Sequence, residues 1–303
     1  MAKQAAINLI QFQQVFNTDE ACHRHLFEMK WPEGFKCPKC GHDRAYEIKT
    51  RHLPLYECTQ CKHQTTVTVG TIFEKTRTIL RIWFWAIFLV ANDKRGVSAS
   101  FLSEELGISY STTWTMLHKI RRAMENRDTQ YALAGIVELD DAFFGAPTEG
   151  GKRGRGTEQT KVLVGLSLNR NGHPQYMKME VISDVKGKTI VDFANRTIIE
   201  GSTINSDKYS SYNALVKEGY KHQAKEYNSK ENPDFLKWIH TIISNAKAFI
   251  GGTFHGLAPK HLQSYLNEFC YRFNRRKFKG EKFNRLVNCC VFCKTITYPE
   301  LIG

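Results

Sequence analysis

No apolar stretch in the sequence is long enough to cross a membrane. A transmembrane helix needs about 18 consecutive apolar residues or more, whereas the longest apolar stretch, 79–91, is interrupted by Arg81. The first residues, MAKQAAINLIQFQQ, also lack the apolar core of a secretory signal peptide. We therefore expect a soluble protein that has no membrane partner, is not exported and lies in the cytoplasm.

Acidic residues are scarce relative to basic ones. The 303 residues include 30 Asp and Glu against 43 Lys and Arg, which leaves a net charge of +13. Such an excess favours a polyanionic partner, because Lys and Arg neutralise phosphates and release their counterions. A hydrophobic fraction of 42% with 12% aromatic residues indicates a folded protein rather than a basic tail. The charge predicts nucleic-acid binding, with a basic protein that binds no nucleic acid as the alternative.

A disulfide framework is not indicated either. The nine cysteines are an odd number in a chain without a signal peptide, which is typical of a reducing compartment. Four of them follow the spacing C-x2-C-x17-C-x2-C: Cys37, Cys40, Cys58 and Cys61. Each C-x2-C turn presents two thiolates to one ion, and two such turns complete a closed tetrahedral zinc site. A redox pair is the alternative, but that chemistry uses one C-x2-C and not two matched ones.

Short strands are expected around these cysteines at 45–48, 53–56 and 64–69. Cysteines and strands together predict a zinc ribbon with one structural Zn²⁺ per chain. We expect His42 and His63 to be surface residues, since four thiolates already fill the coordination shell. A further C-x2-C lies among the later cysteines, but without a matching second one, so these are interpreted as buried thiols: Cys270, Cys289, Cys290 and Cys293.

Residues 97–122 have the pattern of a helix-turn-helix. A first helix at about 98–106 begins at a serine, Gly107 provides the turn, and a second helix begins at about Ser111. In that arrangement Ser111 and Thr112 begin the recognition helix. Basic residues follow on the second helix: Lys119, Arg121 and Arg122. We predict that this region binds DNA, with an ordinary helical hairpin as the alternative.

After residue 130 the pattern changes to β-strands. Three consecutive strands are predicted at 136–145, 161–168 and 175–182, followed by a helix at about 188–198 and a fourth strand that begins at Ser202 and ends at Asp207. The order β-β-β-α-β is that of the ribonuclease H-like fold.

Two aspartates lie on the strands that this topology places side by side, Asp140 on the first and Asp207 on the fourth. Two neighbouring carboxylates repel each other unless a divalent cation lies between them, and Mg²⁺ takes oxygen ligands. A pair of such ions can activate an attacking oxygen and stabilise a leaving one in phosphoryl transfer. Solvated turn residues are the alternative. Asp141 could replace Asp140, although it points to the opposite face of the strand from Glu138 and Asp140.

The sequence as a whole resembles the bacterial insertion-sequence transposases of the zinc-ribbon type that are related to Merlin elements. The resemblance covers about residues 37–283 and rests on several motifs that occur in order. They are the two C-x2-C turns, VELDDAFFG at 137–145, INSDKYSSY at 204–212 and GGTFHGLAPKHLQSYLNEFCYRFNRR at 251–276. The last block is similar to the family pattern at nearly every position, whereas any one motif alone is a weak indication.

This resemblance implies metal-dependent DDE-type chemistry, in which the transposon ends are hydrolysed and the freed 3′-hydroxyl attacks target DNA. It implies that Asp140 and Asp207 are the first two catalytic positions and that His240 takes the third, which is often Glu. Lys247 follows seven residues later on the same helical face. Asn245 is the alternative third residue, about 140° around the helix from His240. Since a histidine nitrogen is softer than Mg²⁺ prefers, His240 is expected to bind weakly or through water.

The resemblance also implies cofactors and partners. The catalytic cofactor is Mg²⁺ or Mn²⁺, as two ions, and the DNA partners are terminal inverted repeats and target DNA. Because two ends must be brought together, a homodimer or a higher oligomer on DNA is implied.

The block after the catalytic helix combines charge and rings. Residues 271–285 hold seven Lys and Arg with four aromatic residues, a combination that suits contact with phosphates and bases. The expected DNA contacts are Arg272, Arg275, Arg276 and Lys277. Apolar residues at helical spacing nearby are expected in the core: Leu262, Tyr265, Leu266, Phe269 and Phe273.

The predicted class is a multi-domain α/β protein with a ribonuclease H-like catalytic domain preceded by a zinc ribbon and a helix-turn-helix region. The predicted segments are a helical segment at 1–30, the ribbon at 31–72, a helical DNA-binding region at 73–128, the DDE-type transposase domain at 129–285 and a tail at 286–303.

We expect a DNA transposase that binds the ends of its insertion sequence, cleaves DNA and transfers strands, in the cytoplasm at the bacterial nucleoid. The alternative is a catalytically inactive, transposase-derived DNA-binding regulator in which His240 is the lesion. A third possibility is a nuclease that cuts RNA/DNA hybrids, which has the same fold. Such an enzyme would not need the two N-terminal recognition modules, the zinc ribbon and the helix-turn-helix region.

Overall fold

The computed structural model describes residues 7–50, 53–146, 150, 154–226, 231–232, 234–278 and 280–302. The chain divides into two compact units. The first consists of Met1–Asn126 together with Phe278–Gly303, and the second of Arg127–Lys277. Within the described residues, no helix is long and apolar enough to cross a membrane.

The secondary structure follows the predicted order. The helices are α1 (Leu9–Val15), α2 (Asp19–Lys30), α3 (Leu80–Asn92), α4 (Ala99–Leu106), α5 (Tyr110–Asp128), α6 (Gly187–Thr197), α7 (Lys237–Thr253), α8 (Leu262–Asn274), α9 (Lys282–Val291) and α10 (Tyr298–Ile302). The strands are β1 (Ala45–Ile48), β2 (Leu55–Cys58), β3 (Gln64–Thr65), β4 (Ile136–Phe144), β5 (Thr160–Leu168), β6 (Pro174–Ile182), β7 (Thr203–Ser206) and β8 (Lys221–Ala224).

The second unit is built on a five-stranded sheet in the order β6-β5-β4-β7-β8. The first three strands of this unit pair antiparallel, and β7 joins the far side of β4 in parallel, so β4 lies in the centre. A helix, α6, separates β6 from β7 in the chain. This is the predicted ribonuclease H-like arrangement, and it places the carboxyl ends of β4 and β7 at the same edge of the sheet.

The two faces of this sheet are covered by different helices, because β4 alternates between them. Ala142 and Phe144 point into a core formed with α7 and α8. Val137 and Leu139 point the other way, into a core formed with α6 and the 3₁₀ helix Ser210–Glu218. Glu138 and Asp140 therefore share the α7 side, as predicted, and Asp141 belongs to the α6 side.

The first unit has an aromatic core to which both of its chain segments contribute. The ring of Phe283, on α9, lies 5.2 Å from that of Phe12 on α1 and 5.8 Å from that of Phe84 on α3. The apolar helix predicted at 80–92 is α3. In α4 the side chain of Ser98 accepts the backbone N–H of Phe101, and Gly107 ends the helix with φ 62°.

Two details differ from the sequence prediction. The third ribbon strand is only Gln64–Thr65, because the chain turns after it and Thr71 N donates to the carbonyl of Thr68 at 3.2 Å. The segment from Phe278 onward belongs to the first unit, whereas the prediction gave 278–285 to the catalytic domain and treated 286–303 as a tail. The physical reason is the amphipathic α9, whose buried Phe283, Leu286 and Val287 pack in that unit.

Candidate active site

Asp140 and His240 meet between the central strand and α7. Nε2 of His240 donates to Oδ2 of Asp140 at 3.1 Å, and Oδ1 of Asp140 accepts the backbone N–H of Asp141 at 2.9 Å. The hydrogen bond with Asp140 raises the pKa of His240, against the lowering effect of burial. Asn245, the alternative to His240, lies exposed further along α7. The structure thus brings His240, and not Asn245, to Asp140.

Lys247 lies on the same helix, two turns after His240. Its side chain is exposed, and Nζ lies 5.9 Å from the centre of the Phe144 ring at the end of β4. A cation at that point can reach a phosphate group at the carboxyl edge of the sheet.

Glu138 holds the start of α7 against β4. This side chain is 4% exposed, and its Oε2 accepts the backbone N–H of Ile239 at 2.9 Å. Leu236, which precedes the helix, has φ 56° and provides no side-chain cap. The carboxylate of Glu138 on β4 therefore acts as the N-cap of α7. Burial raises the pKa of Glu138, and the hydrogen bond from Ile239 opposes that rise. His240, the next residue, is placed by this contact.

Asp141 and Asp207 are bridged by Arg155. Nη2 of Arg155 lies 2.6 Å from Oδ1 of Asp141 and 2.8 Å from Oδ2 of Asp207. The guanidinium also stacks on Tyr209, 3.8 Å from its ring centre, and the hydroxyl of Tyr212 donates to Oδ1 of Asp141 at 3.2 Å. Burial raises the pKa of Asp141, while Arg155 lowers it. Among the described residues no hydrogen bond or ion pair joins Asp140 to Asp207 directly.

The donor set at this edge fits a hard divalent cation. Asp140 and Asp207 supply carboxylate oxygens, which Mg²⁺ and Mn²⁺ prefer, and His240 supplies one nitrogen. The four ribbon cysteines have ligand atoms that all lie within 4.8 Å of one another. In the described part of the chain, the ligand atoms of Asp140, Asp207 and His240 do not form such a cluster. The aspartates are instead held separately, one by His240 and the other by Arg155.

The four predicted zinc ligands converge in the first unit. Their sulfur atoms all lie within 4.8 Å of one another, with 3.6 Å between Cys37 and Cys61 and between Cys40 and Cys58. Zn–S bonds of about 2.3 Å in tetrahedral geometry separate the sulfurs by about 3.8 Å, so the donor set fits zinc.

The two turns of the ribbon have the same backbone geometry. Cys37 N donates to the carbonyl of His42 at 2.8 Å, and Cys58 N donates to that of His63 at 3.0 Å. Burial raises the pKa of Cys37, but the N–H groups of Cys40 and Lys39 lower it to about 6 overall, which favours a thiolate. His42 is turned to the Thr59 hydroxyl at 2.9 Å and is not part of the sulfur cluster.

The two helices predicted within residues 97–122 are present as α4 and the first part of α5, but the side chains predicted to bind DNA differ in accessibility. Ser111 is exposed and Thr112 is half-buried, and their hydroxyls contact that of Ser109 at 3.1 and 2.8 Å. Arg122 is half exposed and pairs with Glu125 at 2.8 Å. Two of the predicted DNA contacts are turned inward. Arg121 is 2% exposed, and Nζ of Lys119 donates to the carbonyl of Ile72 at 3.4 Å. Arg121 is therefore not on a surface that a phosphate could contact.

The arginines after α7 mostly bind the protein itself. Arg272 pairs with the buried Glu268 at 2.6 Å, and Arg275 pairs with Asp128 at 2.5 Å, with both side chains of that pair about one-seventh exposed. Arg276 donates to the carbonyls of Gln175 and Pro174 at 3.1 and 2.5 Å. Arg272 thus pairs within α8, while Arg275 contacts Asp128 and Arg276 contacts β6, and DNA contact by these three arginines stays a prediction. Of the four predicted residues Lys277 is the exposed one.

The apolar residues of α8 and the later cysteines lie where they were predicted. Leu262, Tyr265 and Leu266 are buried, with Phe269 and Phe273 packed against the same core. The later cysteines are all buried free thiols: Cys270, Cys289, Cys290 and Cys293. Burial raises the pKa of Cys270 and Cys290, which keeps these thiols protonated.

Two family comparisons identify the units. Residues 132–274 match the ISXO2-like transposase domain, and residues 17–64 match the transposase zinc-ribbon domain. The chain thus carries an ISXO2-like transposase domain and a transposase zinc ribbon. A relative from Halobacterium salinarum, an uncharacterized protein in transposable element ISH50, is 26% identical over 160 residues, which are 52% of this chain and 52% of that protein. The chain thus spans about half the length of the curated relative it matches.

Solved transposase and intasome structures resemble this chain only distantly. The simian T-cell lymphotropic virus intasome in complex with the PP2A regulatory subunit B56 gamma is 11% identical, covering 56% of this chain and 63% of that one, with a TM-score of 0.28. The Mos1 strand transfer complex is 10% identical, covering 71% of this chain and 78% of that one, with a TM-score of 0.23. At such scores the fold assignment depends on the strand order described above.

Sequence reasoning did not single out three residues of the site: Arg155, Glu138 and Tyr212. A signal existed for the first two. Arg155 belongs to a basic glycine-rich segment, GGKRGRG at 150–156, that begins six residues after the last residue of β4. Glu138 is an acidic residue at an inward position of an otherwise apolar strand, which requires a partner in the fold. The sequence offers no comparable sign for Tyr212, which is fully buried.

Proposed function

We propose that this transposase binds the ends of its insertion sequence, cleaves DNA there with the help of divalent metal ions, and transfers the strands into target DNA. The observation that carries the proposal is the placement of Asp140 and Asp207. Asp140 in the middle of β4 and Asp207 directly after β7 lie just beyond the point where these two parallel strands stop pairing, in a ribonuclease H-like sheet that matches a transposase domain. A DNA substrate is consistent with action in the cytoplasm, at the nucleoid.

In this proposal Asp140 and Asp207 hold the metal ions. When bound, a pair of Mg²⁺ or Mn²⁺ ions supplies activation of an attacking oxygen and charge stabilisation of a leaving one. His240 fixes the orientation of Asp140 through its 3.1 Å hydrogen bond and can itself donate a nitrogen ligand. Lys247 binds a DNA phosphate near the carboxyl end of β4, where its exposed ammonium lies 5.9 Å from the centre of the Phe144 ring.

The first unit supplies structural zinc and DNA recognition. Four thiolates hold one Zn²⁺ in the ribbon. The N-terminal end of α5, with Ser111 and Thr112, reads DNA, while Lys277, an exposed basic residue of the second unit, contacts phosphates. Because two ends have to be joined, the protein acts as a homodimer or a higher oligomer on DNA.

The deciding experiment is a cleavage assay with DNA that carries the gene's own flanking repeats, in the presence of Mg²⁺ or Mn²⁺. Asp140→Ala and Asp207→Ala should abolish cleavage and strand transfer but keep end binding, measured by fluorescence anisotropy. Asp192→Ala, an exposed aspartate on α6, is the matched control and should behave like the parent. A parent protein that binds the ends but never cuts them would indicate a DNA-binding regulator.

The third position is tested by substitutions at His240. His240→Ala should reduce activity strongly, whereas His240→Glu restores an oxygen ligand and should keep activity or change the preference between Mn²⁺ and Mg²⁺. Lys247→Ala should weaken cleavage by loss of a phosphate contact. Full activity of His240→Ala together with loss in Asn245→Ala would move the third position to Asn245.

A further inference from the structure

Arg155 contacts two carboxylates from different strands through one guanidinium. Nη2 lies 2.6 Å from Asp141 on β4 and 2.8 Å from Asp207 after β7, and Nε lies 3.1 Å from the same oxygen of Asp141. Its flat face rests on the ring of Tyr209, 3.8 Å from the ring centre. A planar, forked and stacked cation of this kind has little freedom to move.

The anchor of this arrangement is Asp141. Its side chain is 2% exposed and accepts hydrogen bonds from both Arg155 and the buried Tyr212. Because Asp141 points to the α6 side of β4, it is not on the face of Asp140 and His240. Asp141 therefore serves to hold Arg155 and leaves ligand chemistry to other carboxylates.

Arg155 completes the fixation of Asp207. Oδ1 of Asp207 accepts the backbone N–H of Tyr209 at 3.1 Å, and Oδ2 accepts Nη2 of Arg155. With both oxygens held, the carboxylate plane cannot rotate freely. A carboxylate oxygen keeps a second lone pair after accepting one hydrogen bond, so these contacts leave room for a metal ion.

We propose that Arg155 is a positioning residue that orients Asp207 for metal binding from its anchor on Asp141, an inference that depends on the proposed function of Asp207. Partners that orient a ligand typically change metal affinity about 10- to 100-fold when they are removed. Arg155 acts in the same way between the loop after β4 and the end of β7.

The test has to separate orientation from charge and from folding. Arg155→Gln alone would leave Asp141 buried and unpaired, which is strongly destabilising. The double variant Arg155→Gln/Asp141→Asn removes one positive and one negative charge, so the net charge at the site is unchanged and no unpaired buried carboxylate remains. The matched control is Arg196→Gln/Glu180→Gln, which removes the ion pair between those residues at 2.5 Å on the surface of the same unit.

Mn²⁺ binding to the zinc-loaded full chain is measured by isothermal titration, and Asp140→Ala and Asp207→Ala define the signal from this site. We expect the double variant to bind Mn²⁺ about tenfold more weakly, while the control pair keeps the parent affinity. Arg155→Lys, which retains the charge beside Asp141 but loses the fork, should weaken Mn²⁺ by a smaller factor. It provides the result if the double variant does not fold.

The outcomes are distinct. If the double variant binds Mn²⁺ as tightly as the parent, the positioning role is overturned, even if cleavage proceeds as proposed. If the double variant does not fold, the same result for Arg155→Lys overturns it. Weakened Mn²⁺ binding in a protein whose parent never cleaves DNA supports Arg155 and contradicts only the proposed function. If the parent protein shows no saturable Mn²⁺ binding, or if its binding is unchanged in Asp207→Ala, both the positioning role of Arg155 and the proposed function are contradicted.

Discussion

The zinc ribbon and the carboxylate site are assembled over very different distances along the chain. In the ribbon, each turn holds two thiols three residues apart, and one hydrogen-bond pattern serves both turns. In the sheet, Glu138 contacts a residue 101 positions away, His240 contacts one 100 positions away, and Arg155 contacts Asp207 across 52. The spacing of the cysteines is therefore enough to predict the geometry of the ribbon. The carboxylate site, by contrast, forms only when the whole sheet has formed.

Loss of zinc should have the largest effect, because the ribbon has little else to stabilise it. Structural zinc contributes an apparent 10–16 kcal/mol in zinc-finger peptides, about the whole folding energy of such small domains. We expect about one zinc per chain by elemental analysis, lost in Cys37→Ser together with the near-ultraviolet circular dichroism of the ribbon. Cys289→Ser is the control and should keep the zinc. A second zinc ion that disappears in Cys290→Ser would contradict our interpretation of the buried thiols.

The next effect should come from the arginines that were predicted to bind DNA. Arg275→Ala leaves Asp128 without its charged partner in a mostly buried position, so the free energy of unfolding should fall by about 3 kcal/mol. Lys277 is the exposed neighbour, and Lys277→Ala should leave stability unchanged. It should reduce the slope of log DNA affinity against log salt concentration by about the amount that one phosphate contact contributes. Equal stability of the two variants in urea unfolding would show that Arg275 is not a structural residue.

Glu138 tests the long-range half of the comparison. Glu138→Ala leaves the N–H of Ile239 buried without an acceptor, which should cost about 2 kcal/mol in the free energy of unfolding. The amide of Ile239 should then exchange with solvent faster than in the parent. Glu138→Gln keeps a carbonyl oxygen at the same place and is expected to recover most of both losses. Should Gln and Ala behave alike, the hydrogen bond would not be what joins α7 to β4.

The smallest effect belongs to a contact between near neighbours. Ser98 caps α4 through its 3.2 Å hydrogen bond from Phe101 N, so Ser98→Ala should lower stability by about 1 kcal/mol. Ser98→Asp should preserve the cap. The melting temperature of the two variants distinguishes a cap from a surface serine.

The sequence predicted what depends on short spacing or on strand order. The four cysteines, the helix α3 and the β-β-β-α-β order follow from spacing and periodicity. The choice of His240 over Asn245 came from a family motif, and the structure brings His240 to Asp140. The intramolecular contacts of the arginines at 272–276 could not be predicted from the sequence. Composition shows that positive charge is present, but it does not show that Asp128 or a carbonyl of β6 lies next to a given arginine. The bridge made by Arg155 was missed for the same reason.

The aromatic core of the first unit has a consequence for synthesis on the ribosome. The second unit is an insertion, since the chain leaves the first unit after residue 126 and returns to it at 278. Phe283, which packs against Phe12 and Phe84, is therefore translated after the whole sheet. At about 5–20 residues per second, the early rings wait roughly 10–50 s for it. The unit whose synthesis begins first can thus be the last to complete its core, and the nascent chain exposes aromatic surface in the meantime.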